Sequence, residues 1–206
     1  MKTAIDQEPR TRGRPRSFDR DAALERAMLL FWRRGYEATS ISELTAEMGI
    51  TPPSLYAAFG DKQRLFREAV QRYLAQSGPC SDQVFAEEPT ARAAIARLLR
   101  SAAEELTRRD RPSGCMVVTA ATNCCPESAD IQADLAALRA QSADRLQARI
   151  ARAVTEGELP AGTDAAGLAT FYTTVMQGMT VQARDGASRD ALLAAADAAM
   201  RAWPAS

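Results

Sequence analysis

Residues 39–66, Thr-Ser-Ile-Ser-Glu-Leu-Thr-Ala-Glu-Met-Gly-Ile-Thr-Pro-Pro-Ser-Leu-Tyr-Ala-Ala-Phe-Gly-Asp-Lys-Gln-Arg-Leu-Phe, spell two short helices, a tight turn between them and the start of a third. Ile41, Leu44, Thr45 and Met48 recur at helical spacing and share one face, and Ser40 in front of them can cap the first free amides. Gly49 supplies the turn. Thr51 can cap the next helix, whose first turn accommodates Pro52 and Pro53 because its N–H groups have no helical partner. Leu55 and Phe59 tie this helix to a core. The positions left facing outward, Pro52, Pro53, Ser54, Tyr56 and Ala57, are small or flat, as a surface pressed into a DNA major groove requires. The pattern is that of a helix-turn-helix DNA reader.

The flanks complete a domain over residues 17–76. Asp19 can cap a first helix to about Arg34, with Leu24, Ala27, Met28 and Phe31 on its buried face and Gly35 ending it. After Gly60, Asp61 caps a fourth helix that turns Leu65, Phe66, Ala69, Val70 and Tyr73 inward and carries Lys62 in its first turn. Ser77-Gly78-Pro79 marks a boundary, beyond which alanine- and leucine-rich helical patterns run with no strand-like alternation. Ahead of the reader, Arg10, Arg12, Arg14 and Arg16 crowd a stretch without helical pattern, so residues 1–16 form a flexible basic arm suited to phosphate contact. Net charge is zero, but residues 1–75 hold 13 Lys and Arg against 10 Asp and Glu, whereas the remainder holds 13 against 16.

Residues 80–206 form the second domain. Thr90 caps a helix bearing Ile95, Leu98, Leu99, Ala102 and Leu106 that stops before Arg111-Pro112. A short apolar segment runs from Ser113 to Cys125. A long helix over 127–156 carries Ile131, Leu135, Leu138, Leu146, Ile150 and Val154 and is closed by Gly157 and Pro160. Two last helices follow, about 164–184 and 188–203, the first with Leu168, Phe171, Tyr172, Val175, Met176 and Met179, the second with Leu192, Leu193, Ala196, Ala199, Met200 and Trp203. The fold class is all-α, with about nine helices.

Several function classes are disfavoured. The 206 residues include no histidine, which removes Ser-His and Cys-His nucleophile pairs and imidazole metal sites, and no glycine-rich phosphate loop occurs, so an enzyme is not expected. The four cysteines lack paired spacing, so the thiols are expected free, as in a reducing compartment, with no metal and no cofactor. A thiol metal site at Cys115, Cys124 and Cys125 would need groups that helical geometry places on opposite faces. No apolar run approaches the roughly 20 residues that span a bilayer, and no export signal opens the chain, so a cytoplasmic protein without a membrane partner is expected.

The reader, its bracing helix and the following Gly-Asp-Lys resemble the TetR/AcrR family of bacterial transcriptional regulators over residues 17–75, most specifically in Ser-Leu-Tyr-Ala-Ala-Phe-Gly-Asp-Lys at 54–62. The resemblance implies that Tyr56 and Lys62 touch phosphates and that Ser42, Thr51, Pro52, Pro53 and Ser54 lie at or near the groove, with Ser40 at the helix start and Arg14 and Arg16 on the arm. Ala57 and Ala58 stand where relatives often carry a polar or aromatic residue, and Pro52-Pro53 removes two backbone donors, which implies sparse, shape-dependent readout.

For the second half the resemblance is one of arrangement, with local echoes at Gly-Cys-Met-Val-Val, 114–118, and Gln-Gly-Met-Thr-Val-Gln-Ala-Arg, 177–184. It implies a helical ligand pocket and a dimer interface made by the last two helices. An amphipathic antiparallel pair needs an apolar surface to cover its stripe, and a two-fold copy would give a four-helix bundle with Leu168, Val175, Met179, Leu192, Ala196 and Met200 at the interface. Cys115, Met116, Thr119, Thr122, Asn123, Phe171, Tyr172 and Met176 are the candidate lining of an apolar cavity for a small apolar or aromatic effector. The reading is a homodimeric repressor that releases an inverted-repeat operator on binding a small molecule. The alternative is a thiol sensor acting through Cys115, placed in the first turn of a short helix capped by Ser113, near Arg108, Arg109 and Arg111.

Overall fold

The computed structural model describes residues 18–77 and 81–204, which contain ten α-helices and no strand. The first four are α1 (Arg20–Arg34), α2 (Ile41–Met48), α3 (Pro52–Phe59) and α4 (Lys62–Gln76). Each begins at the cap expected. Asp19 accepts the amides of Asp21 and Ala22 at 2.9 and 3.1 Å, Ser40 and Glu43 form a reciprocal capping box, Thr51 accepts the Ser54 amide, and Asp61 accepts that of Arg64 at 2.7 Å. Gly49, at φ +68°, takes the left-handed conformation that turns α2 into α3, a backbone state that a side chain would strain.

An aromatic cluster joins these helices. Phe66 of α4 meets the rings of Phe31 and Tyr36 edge-on at 5.0 Å each, and Trp32 meets Tyr73 at 4.8 Å. Arg20 closes the far side, with its guanidinium 4.4 Å over the Phe59 ring and bonded to Glu68 and to the Ala58 carbonyl.

The second half contains α5 (Ser81–Glu87), α6 (Ala91–Leu106), α7 (Met116–Thr119), α8 (Ala129–Thr155), α9 (Ala165–Arg184) and α10 (Arg189–Met200). The sequence pattern does not announce α5, seven residues whose Val84 is fully buried and whose Asp82 faces Arg145 of α8 at 3.5 Å, so tertiary contacts hold it. The apolar segment 113–125 contains the four-residue α7. A 3₁₀ turn at Pro126–Ser128 delays α8 by two residues, and α10 ends at Met200, short of Trp203. Ala91, Ile95, Leu99, Leu146, Ile150, Tyr172, Met179, Leu192 and Ala196 form the core of this half.

The core of the first half does not stop at the composition boundary. It continues through Met116, Val117, Ala120 and Ala121 into Ile131 and Leu135 at the start of α8. Polar bonds reinforce that seam: Trp32 donates its indole N–H to the Gly114 carbonyl at 3.2 Å, and the Tyr36 amide donates to the Ala120 carbonyl at 2.7 Å. Arg184 at the end of α9 donates to the Trp32 and Arg33 carbonyls at 3.4 and 3.3 Å and to Thr119 Oγ1 at 3.0 Å, so it caps the C-terminus of α1 from the other half of the molecule. The α1–α4 unit is therefore held by α7, α8 and α9.

Candidate nucleic-acid interface

Helix α3 buries only Leu55 and Phe59 and leaves Pro52, Pro53, Tyr56 and Ala57 exposed, with the Tyr56 ring half uncovered at 50%. At its entrance the Thr51 hydroxyl is exposed and lies 2.9 Å from Ser54 Oγ, so a single outward-facing pair of hydroxyls marks the helix start. Ser42 is exposed on α2. Ser40 donates its hydroxyl to Glu43 at 2.9 Å and accepts the Glu43 amide at 3.2 Å, which commits it to the cap. The backbone N–H and hydroxyl of Ser40 hold the Glu43 carboxyl below its usual range, and Arg34 bonds the same carboxylate.

Lys62, the first residue of α4, is half-buried with its ammonium 4.2 Å over the Tyr36 ring. Burial pushes its pKa down, against the pull of the Glu37 carboxylate. Glu37 is in turn held below its usual range, first by a hydrogen bond from Ser128, and it accepts the Cys125 amide and thiol at 3.2 Å each. The sequence pattern carried no sign of this link between the reader and the head of α8. Arg14 and Arg16, with the rest of the arm, lie outside the described residues.

The candidate effector residues fall in separate places. Met116 is buried in the first core and Tyr172 in the second, where its hydroxyl donates to the Ala199 carbonyl at 3.4 Å. Met176 is half-buried against the second core; Phe171 is 39% exposed, and Thr122 and Asn123 face outward. Thr119 bonds the Cys115 carbonyl and Arg184. Cys115 is the N-cap residue of α7 rather than a member of its first turn; Ser113 does not cap the helix, and Cys115 Sγ accepts the Tyr73 hydroxyl at 3.3 Å. Burial and this neighbour raise the Tyr73 phenol. Cys115, Cys124 and Cys125 are all free thiols.

On the last two helices Met179, Leu192 and Ala196 are buried within the protomer's own core, and Leu168, Val175 and Met200 pack half-buried against it. The exposed row belongs to other residues: Thr170, Phe171, Thr174, Gly178 and Val181 on α9 and Ala191, Ala194, Ala195 and Ala198 on α10.

The family model for bacterial regulatory proteins of the tetR family matches residues 23–69, and that for a tetracyclin repressor-like C-terminal domain matches residues 89–200. The chain belongs to the TetR family. This TetR-family regulator is 39% identical over 196 residues, 95% of its length and 93% of the relative's, to the HTH-type transcriptional repressor ComR of Escherichia coli (strain K12). It is 31% identical to the repressor BdcR of the same organism, with 92% and 91% of the two chains covered. Among solved structures, a cysteine mutant of the TetR-family regulator CifR complexed with a 26-base-pair operator superposes with a TM-score of 0.89 at 48% identity, covering 93% of this chain and all of that one. No helix among the described residues is long and apolar enough to cross a membrane.

Proposed function

We propose that α3 is the recognition helix of an effector-responsive repressor, that two copies of the chain grip an inverted-repeat operator, and that a small molecule bound in the α5–α10 domain releases it. The exposed face of α3 behind a capped α2–α3 turn carries this reading, since its outward residues are small or flat and its buried residues Leu55 and Phe59 fix it to the core. Pro52, Pro53 and Ala57 give van der Waals contact and leave few donors for base edges, so Thr51 and Ser42 supply the polar readout while Tyr56 and Lys62 hold phosphates. Release needs a lever. The seam supplies it: Arg184 of α9 holds the carbonyls that end α1, and the Trp32 indole and Tyr36 amide are tied to the Gly114 and Ala120 carbonyls on either side of α7, so a shift of α7 or α9 is passed to the end of α1.

Selection of duplexes from random DNA, followed by anisotropy titration against salt, tests the reading, and an enriched inverted repeat is the expected result. Tyr56→Phe removes a neutral donor to phosphate, so it should weaken operator and random duplex alike by about tenfold with the salt slope unchanged. Lys62→Ala should also weaken both, and lower the slope by about one phosphate contact. Thr51→Ala should instead alter the selected sequence. Absence of any enriched duplex would overturn the proposal.

A further inference from the structure

Arg149 is the sole charged residue buried among those described, with its side chain 1% exposed in the interior of the second half. It shares the buried face of α8 with Leu146, Ile150 and Ala153, which belong to the apolar core of this half. A guanidinium carries five N–H donors and cannot shed its proton, so in such a place it requires acceptors on all three nitrogens. It has one, the Glu158 carboxylate 3.3 Å from Nη2, and Glu158 is committed elsewhere because its other oxygen accepts the Ala91 amide at 2.7 Å. Nε and Nη1 are buried and meet no acceptor among the described residues.

Other arginines of this chain show what a purely structural role looks like. Arg20 bonds both Glu68 oxygens and a carbonyl, and Arg184 bonds two carbonyls and a hydroxyl, though both are far more exposed than Arg149. Of these three, the deepest is the least satisfied. A second orphan lies on the helix packed against it: Thr173 Oγ1 of α9 is buried without a partner, on the face that carries Ala169 and Met176.

We infer that Arg149, with Thr173, anchors the effector, and that the effector is a monocarboxylate with a compact apolar body. A carboxylate presents several acceptor lone pairs to the free guanidinium N–H groups and one to the hydroxyl, and its apolar remainder suits the partly buried side chains that pack against this core, Leu98, Val175 and Met176 among them. The Arg149–Glu158 pair sums to zero charge, so a monocarboxylate leaves one uncompensated negative charge and a phosphate dianion two, which favours the monoanion of these two. This inference rests on the effector-responsive reading and names the chemistry of its ligand.

The test follows thermal unfolding of the full chain with butyrate, hexanoate, octanoate and benzoate against the matching neutral amides at equal ionic strength. At about a hundredfold excess over Kd, at least one acid should raise Tm by about 5–10 °C while its amide does not. Arg149→Met should abolish that rise and still fold, since the Glu158 carboxylate it leaves without a cation is partly exposed and keeps the Ala91 amide. Should Arg149→Met not fold, Arg149→Lys keeps the charge without the planar fork and should weaken the acid at least tenfold. The Arg149 Nε–H resonance, identified by its loss in Arg149→Met or Arg149→Lys, should move on titration with the same acid. A series in which no acid raises Tm, an amide that acts as well as its acid, or an undiminished response in the Arg149 variants overturns the inference. Operator release, measured separately, divides the two readings: an acid that binds through Arg149 without releasing DNA leaves the site standing and removes its regulatory role, whereas release by a ligand indifferent to Arg149 does the reverse.

Discussion

Replacing Phe66 with alanine should lower the unfolding free energy by about 3–5 kcal/mol and Tm by roughly 10 °C, because it removes the ring at the centre of the reading unit. Phe66 is 1% exposed and makes edge contacts with both Phe31 and Tyr36 at 5.0 Å. The void would also open toward α8, since Phe66 floors a groove of 280 Å³ whose other wall is Leu135 and Leu138 under the Arg67–Asp134 ion pair. That ion pair is exposed and screened, so it cannot restore what the ring supplied. Operator binding should fall with stability, and lowering the temperature should recover part of it. Tyr56→Ala is the contrast: its ring is half exposed, so stability should move by no more than about 0.5 kcal/mol while DNA affinity drops. Chemical denaturation followed by circular dichroism checks both. A loss below about 1 kcal/mol for Phe66→Ala would mean that the aromatic cluster does not hold the reader together.

The first four helices were legible because their signals are local. Asp19, Ser40, Thr51 and Asp61 cap them and Gly35, Gly49 and Gly60 end them, each within a turn of the residues it governs. What the pattern missed depends on partners distant in sequence. Helix α5 has seven residues and stands only because Val84 and Asp82 find α6 and α8. The link from Glu37 to Cys125 spans 88 positions and leaves no periodic trace. Arg149 did leave one. It lies beside Leu146 and Ile150 on the buried face of α8, where a charged residue breaks the pattern, and an arginine on such a face asks for an acceptor.

The face of α9 and α10 that the protomer leaves uncovered was illegible for a different reason: the two helices carry apolar or small residues on nearly every side, so periodicity cannot say which face closes the protomer and which is left over. The structure separates them. With Met179, Leu192 and Ala196 turned inward, the uncovered surface is a row of small residues on two antiparallel helices, flanked by Phe171 and Val181 at 39% and 49% exposure. Small side chains let helix backbones approach closely, and Phe171 and Val181 supply apolar area, so a two-fold copy set against this face would complete a four-helix bundle. Val181→Arg or Ala195→Arg places an unpaired cation in that bundle and should cost about 3–5 kcal/mol of association, a dimer weakened several-hundredfold or more. The protomer should stay folded, because both positions are exposed within it. Leu192→Arg, buried in the protomer, should instead abolish folding. Light scattering should find wild type dimeric and the two exposed-site variants monomeric at micromolar concentration, and binding of the variants to an inverted repeat should fall toward that of a half-site, since two readers must stand roughly 34–36 Å apart to grip both halves. A monomeric wild type that binds the inverted repeat tightly, or arginine variants that remain dimeric, would place the interface elsewhere. The salt dependence sharpens the distinction: a dimer held by this apolar face should resist added salt while its grip on DNA weakens, so dissociation of the protein and release of the operator would separate along the same titration.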